Sequence, residues 1–172
     1  MYLQPLHIQP IRDLRATTKG DMRKGKARTT VEHMARECVA NQLRTLSRVV
    51  TGIYEKELRP LKLKAGQMVI LAITGRRGRV RASEISRMLQ VDASTLSRNL
   101  ERMRARGWLE LAEGDDERSR PLQLTASGRE ILAEAILAWE RAQAKAVTLL
   151  GQDGVVDLRR LAAKVRAGAA AD

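Results

Sequence analysis

The strongest constraint on the fold is a tightly punctuated run from Ser83 to Leu124. Ser83–Leu89 places Ile85, Met88 and Leu89 on one side of a short helix, and Gln90-Val91-Asp92 breaks it. A second helix is predicted from Ala93 to Arg106, with Asp92 as its N-cap and Gly107 as its C′ residue. Leu96, Leu100 and Met103 recur on one face, so the other face of that helix looks outward. Two short helices joined by so short a break make a helix-turn-helix. Trp108-Leu109-Glu110-Leu111 and Leu122-Gln123-Leu124 then read as paired strands around a charged tip at residues 112–120, with Pro121 suited to an edge strand. A hairpin directly after the second helix is a wing. The expected fold is mainly α with a small β-hairpin: a winged helix-turn-helix.

The flanking segments are helical. Val39, Leu43, Leu46, Val50 and Ile53 form one stripe of a long amphipathic helix beginning near Val31, which Pro60 ends at or before Arg59. Gly66–Thr74 is nearly all apolar and predicts a central helix, followed by the basic turn Arg76-Arg77-Gly78-Arg79 and an extended piece at Val80. Thr125 caps an Ala-rich helix reaching about Leu150, whose apolar residues include Ile131, Leu132, Ala135, Ile136, Trp139 and Val147. Gly151–Gly154 breaks it before a last helix carrying Val155, Leu158, Leu161 and Val165. One chain cannot cover the apolar faces of its first and last helices, so a homodimer is expected. The organisation predicted is a basic, flexible extension at 1–30, dimerisation helices at 31–60 and 126–172, and a winged helix-turn-helix at 61–125.

Charge narrows the partner. The formal net charge is +12, and residues 1–30 alone hold seven lysines and arginines against Asp13 and Asp21. So basic a chain points to a polyanion. The aromatics are Tyr2, Tyr54, Trp108 and Trp139, too few for the stacking platforms of single-strand binders. Duplex DNA is therefore the expected partner. On the outward helix face Arg98 and Arg102 can reach guanine edges or phosphates, and Ser94 and Thr95 there, with Ser97 and Asn99 on the flanks, can bond bases or backbone. Arg118 and Arg120 in the hairpin can enter a minor groove or grip phosphates. A winged-helix module that binds protein or RNA is the alternative, and it has no need of those wing arginines.

Several other chemistries find no residues. No apolar run approaches the roughly 20 residues of a membrane span, and the N-terminus lacks a signal-peptide core. Cys38 is the sole cysteine, and with His7 and His33 it makes neither a disulfide framework nor a zinc site. Gly20–Lys26 imitates a phosphate-binding loop, but Ala27 stands where the Mg²⁺-binding hydroxyl belongs and no strand precedes it. The acids Glu113, Asp115, Asp116 and Glu117 read as a solvated hairpin tip rather than a cation site. No nucleophile–base set is present, so no enzyme, cofactor or metal is expected, and the compartment expected is the cytoplasm.

The runs Ser94–Leu100, Gly107-Trp108-Leu109, Asp116–Arg120 and Leu124–Arg129, with Leu61–Gln67 upstream, resemble the MarR family of bacterial transcriptional regulators. The resemblance covers about Val31 to Arg166 and leaves the N-terminal extension outside. It implies a triangular homodimer with intertwined terminal helices, binding an inverted-repeat operator in double-stranded DNA. By position Arg98 falls in the groove-reading helix, Arg118 matches the wing arginine of the minor groove, and Asp116 matches the acid that orients it. It also implies a repressor released by a small aromatic or anionic effector. The crevice expected for that effector lies between the long first helix, the second helix and the winged helix. A peroxide-sensing branch of the family keeps a reactive cysteine near where Cys38 lies, which makes Cys38 a redox candidate. The tyrosines that support that thiolate are replaced by Gly52 and Leu63, so a small buried residue on a dimer-facing helix is the preferred reading of Cys38.

Overall fold

A computed structural model describes residues 31–112 and 120–168. They fall into two units that divide between Thr45 and Leu46. The first unit is helical from residue 31. Its backbone ladder runs through Cys38, whose N–H donates to the Met34 carbonyl at 3.1 Å and whose carbonyl accepts from Gln42 at 3.0 Å. Every described residue up to Thr45 is exposed, including Val31, Met34, Val39 and Leu43. The expected apolar stripe is therefore present but has no cover within that unit.

The second unit contains the core. Helix α1 (Val39–Leu58) ends in it, and here the stripe sinks: Leu46, Val50 and Ile53 are half-buried and Leu58 is fully buried. Pro60 sits in a 3-10 turn, Arg59–Leu61, and Lys62 adopts the left-handed region at φ 51°. The chain reverses there into α2 (Ala65–Arg77), which starts one residue before the predicted Gly66 and runs about one turn past Thr74. Its start is capped from two directions. Gln67 Oε1 accepts from the Lys64 N–H at 3.1 Å, and Glu55 Oε1 accepts from the Ala65 N–H at 2.9 Å. Glu55 also pairs with Lys64 at 3.2 Å. A carboxylate at a helix N-terminus satisfies an orphan donor and opposes the helix dipole.

Helix α3 (Ala82–Leu89) and helix α4 (Ala93–Ala105) form the predicted pair. Ile85, Leu96, Leu100 and Met103 are buried in the same core cluster as Ile70 and Leu71 of α2. Strands β1 (Leu109–Leu111) and β2 (Leu122–Leu124) are antiparallel, with Leu109 opposite Leu124 and Leu111 opposite Leu122. Val80 pairs with Leu122 from the other side. At Leu122, β2 is therefore flanked on both sides, and Pro121 precedes the strand rather than lying on an open edge. Its missing N–H costs nothing at that position.

Helix α5 (Ala126–Gly168) bends at Gly151, the one residue with non-helical torsions (φ 71°, ψ 161°), where the sequence predicts a break between two helices. Only glycine takes such torsions without strain. Most of the buried residues of α5 are small, Gly128, Ala135, Ala138, Ala142 and Ala146, with Val155 beyond the bend, while Ile131 and Leu132 are half-buried against the core. The small side chains allow another backbone to come close. Polar links join α5 to α1. The Tyr54 hydroxyl donates to Gln143 Oε1 at 2.5 Å, and Glu57 binds Arg141 at 3.1 Å and Lys145 at 2.5 Å. Burial raises the Tyr54 hydroxyl pKa, while Lys145 and then Arg141 hold the Glu57 carboxyl below its ordinary value.

Candidate nucleic-acid interface

The turn between α3 and α4 is stitched by Ser86. Its hydroxyl donates to the Val91 carbonyl at 2.7 Å, and its own carbonyl accepts from the Val91 N–H at 3.2 Å. Gln90 closes α3 in the left-handed region at φ 51°. Asp92 caps α4 as predicted: its Oδ1 accepts from the Thr95 N–H at 2.8 Å and from Ser94 Oγ at 2.7 Å. Those bonds, Ser94 first, hold the Asp92 carboxyl at about 2. The cap fixes where α4 begins and hence which residues its outer face presents.

That outer face carries the predicted residues with differing freedom. Arg98 and Arg102 are exposed, and their side chains make no hydrogen bond or ion pair among the described residues. Ser94 spends its donor on Asp92, and Ser97 donates to Glu101 Oε1 at 3.1 Å. Asn99 is only half-exposed and donates to the Thr95 carbonyl at 3.3 Å, which places it on the flank of the helix. Thr95 and Arg120 are exposed. Arg118 and Asp116, like the acidic tip, the glycine-rich imitation of a phosphate loop and the whole of 1–30, lie outside the described residues.

The far end of α4 is held by contacts that sequence reasoning missed. Arg106 Nη1 donates to the Lys62 carbonyl at 2.5 Å, and its guanidinium lies 4.9 Å from the centre of the Trp108 ring. Gly107 turns the chain at φ 71°. Thr125 then joins the wing to α5: its hydroxyl donates to the Gly107 carbonyl at 2.5 Å and accepts from the Gly128 N–H at 2.9 Å. This is the physical content of the Leu124-Thr125-x-x-Gly128 pattern.

Other candidates fall as follows. Cys38 is exposed in the single chain, where it belongs to the uncovered helical stretch before Thr45. His33 is exposed too, and Trp139 stands 40% exposed on α5. An open cavity of about 590 Å³ lies between the end of α2, the sheet and the first turns of α5, with Leu124, Arg129, Leu132 and Ile136 among its walls. No residue of α1 lines it, whereas the expected effector crevice borders α1. Among the described residues no cluster could hold a metal ion, and no helix is long and apolar enough to cross a membrane.

Two short helices around a capped turn, a hairpin pinned to the second of them, and a third strand position at Val80 define a winged helix-turn-helix protein. The profile of the MarR family matches residues 61–119. The transcriptional regulator MOSR of M. tuberculosis, solved in complex with DNA, is 31% identical, with a TM-score of 0.67 over 78% of this chain and 97% of that one. A cysteine-to-serine mutant of MarR from E. coli, solved with operator DNA, is 24% identical at a TM-score of 0.68, covering 77% of this chain and 97% of that one. The uncharacterized HTH-type transcriptional regulator YwoH of Bacillus subtilis is 27% identical over 85 residues, 49% of this chain. The matched segment spans 62% of the length of YwoH. The chain belongs to the MarR family.

Proposed function

We propose that the protein is a sequence-specific transcriptional regulator, a homodimeric repressor that binds an inverted-repeat operator in duplex DNA. The observation that carries this reading is the outer face of α4, where Arg98 and Arg102 stand exposed and uncommitted above a fully packed inner face. An α-helix fits the major groove, and bidentate arginine contacts distinguish guanine there. The likeness to MOSR, solved in complex with DNA, supports the same reading. In this account Arg98 reads a base, and Arg102, Arg120, Ser94 and Thr95 fix register through phosphates or base edges. Arg118 enters the minor groove with Asp116 orienting it. Ser97 contributes through Glu101 more than by direct contact, because its one donor is engaged on the helix, while Asn99 keeps a second N–H and its carbonyl oxygen for the duplex.

The dimer is assigned to α1 and to the last part of α5. Leu149, Val156, Leu158, Leu161 and Val165 are exposed in the single chain. So large an uncovered apolar surface requires a partner, and a second copy supplies both faces at once. Release from DNA is assigned to a small aromatic or anionic effector, and the site of action to the cytoplasm. Genome-wide selection of bound DNA fragments, with and without candidate acids, tests the proposal. Enrichment of an inverted repeat supports it; enrichment of no motif refutes it.

A further inference from the structure

An acid sits on the face that is proposed to read DNA. Leu96, Leu100 and Met103 fix the inward side of α4, which puts Glu101 on the exposed side, three residues after Arg98 and next to Arg102. Neither arginine neutralises it among the described residues; its polar partner there is Ser97 Oγ, at 3.1 Å from Oε1. A carboxylate aimed at a duplex is repelled by every phosphate, so it weakens binding to arbitrary sequence. What it can accept from in the major groove is a base amino group, above all N4 of cytosine. Ser97 occupies one oxygen, restricts the rotamers of the side chain and leaves Oε2 free to accept.

We propose that Glu101 is a specificity-determining residue that accepts a hydrogen bond from a cytosine amino group at one position in each half-site and excludes duplexes lacking a donor there. The inference rests on the reading of α4 as the groove-reading helix. Arg98 and Arg102 supply attraction, and Glu101 makes part of that attraction conditional on sequence.

The experiment is in vitro selection from a randomised duplex with the full-length protein and its Glu101→Ala and Glu101→Gln variants, each checked for an unchanged melting temperature. The wild type is expected to favour cytosine at one half-site position by on the order of ten- to a hundredfold. Glu101→Ala should erase that preference while binding random duplex more tightly. Glu101→Gln should move the preference to adenine, since an amide can pair with both N6 and N7. A sequence-specific wild type whose base preferences survive Glu101→Ala unchanged, or that shows no cytosine preference, overturns this inference alone. A wild type without any sequence preference overturns the regulator reading as well.

Discussion

Gly128 packs its Cα against the carbonyl of Trp108 so closely that a Cβ there would lie 2.0 Å from the oxygen. The obstacle is backbone, so no side-chain rotation relieves it. The same Trp108 carbonyl accepts from the Thr125 N–H at 3.2 Å, and Thr125 in turn caps the turn of α5 that contains Gly128. Wing and helix therefore meet through main-chain atoms. Gly128→Ala should destabilise the fold by about 3 kcal/mol, the upper end of overpacking costs. The control is Gly154→Ala on the same helix, where a Cβ would meet only Leu150 Cβ at 3.6 Å, an ordinary contact. That change should be neutral or stabilising by up to about 1 kcal/mol. Chemical denaturation of both variants is the check, and equal stabilities would contradict the close approach at Trp108.

The Asp92 cap predicts a pH signature. Its folded pKa, about 2, lies below the ordinary value of 3.8, so its contribution is fully present above pH 4 and disappears as the pH falls through 2. Asp92→Ala should lower the melting temperature at pH 7, and the gap to the wild type should close between pH 4 and pH 2. Thermal melts across that range are the check. A constant gap at every pH would mean that the carboxylate does not act as the cap.

The helix-turn-helix was legible because its signals are local. Asp92, Gly107 and the spacing of Leu96, Leu100 and Met103 each act within one or two turns of their own position, and all are seated as the pattern predicts. Contacts between distant segments left no such trace. Nothing near Glu55 indicates that it reaches the Ala65 amide, and nothing near Arg106 indicates the Lys62 carbonyl. The alanine face of α5 was hidden for another reason. A stripe of small residues carries little weight beside Ile136 and Trp139, yet close helix packing selects the former and leaves the latter exposed. In the candidate interface, the spacing of Ser97 and Glu101 was the readable signal for a fixed acid, since residues four apart on a helix are neighbours.

Assembly gives a third prediction. Leu158, Leu161 and Val165 are 38%, 58% and 64% exposed, a row on one helix that water should not face. Sedimentation at micromolar concentration should show a dimer, and Leu161→Glu should shift it toward monomer and weaken operator binding. A stable, folded wild-type monomer would contradict the assignment.

Cys38 is exposed in the single chain, and oxidant access alone does not make a sensor. Cys38→Ser should bind the same DNA with unchanged affinity, and stoichiometric organic hydroperoxide should leave the wild-type complex intact. Release by hydroperoxide that the serine variant abolishes would reverse this reading.

The central claim is that α4 reads sequence while the wing adds groove-wide attraction, and one titration tests it most directly. Arg98→Ala and Arg118→Ala are measured against a randomised operator at two salt concentrations. Arg98→Ala should cost about 1–3 kcal/mol on the preferred operator and relax preference at one position per half-site. Arg118→Ala should weaken most sequences alike and flatten the salt dependence. A loss of major-groove preference with Arg118→Ala, and binding indistinguishable from wild type with Arg98→Ala, would contradict the account.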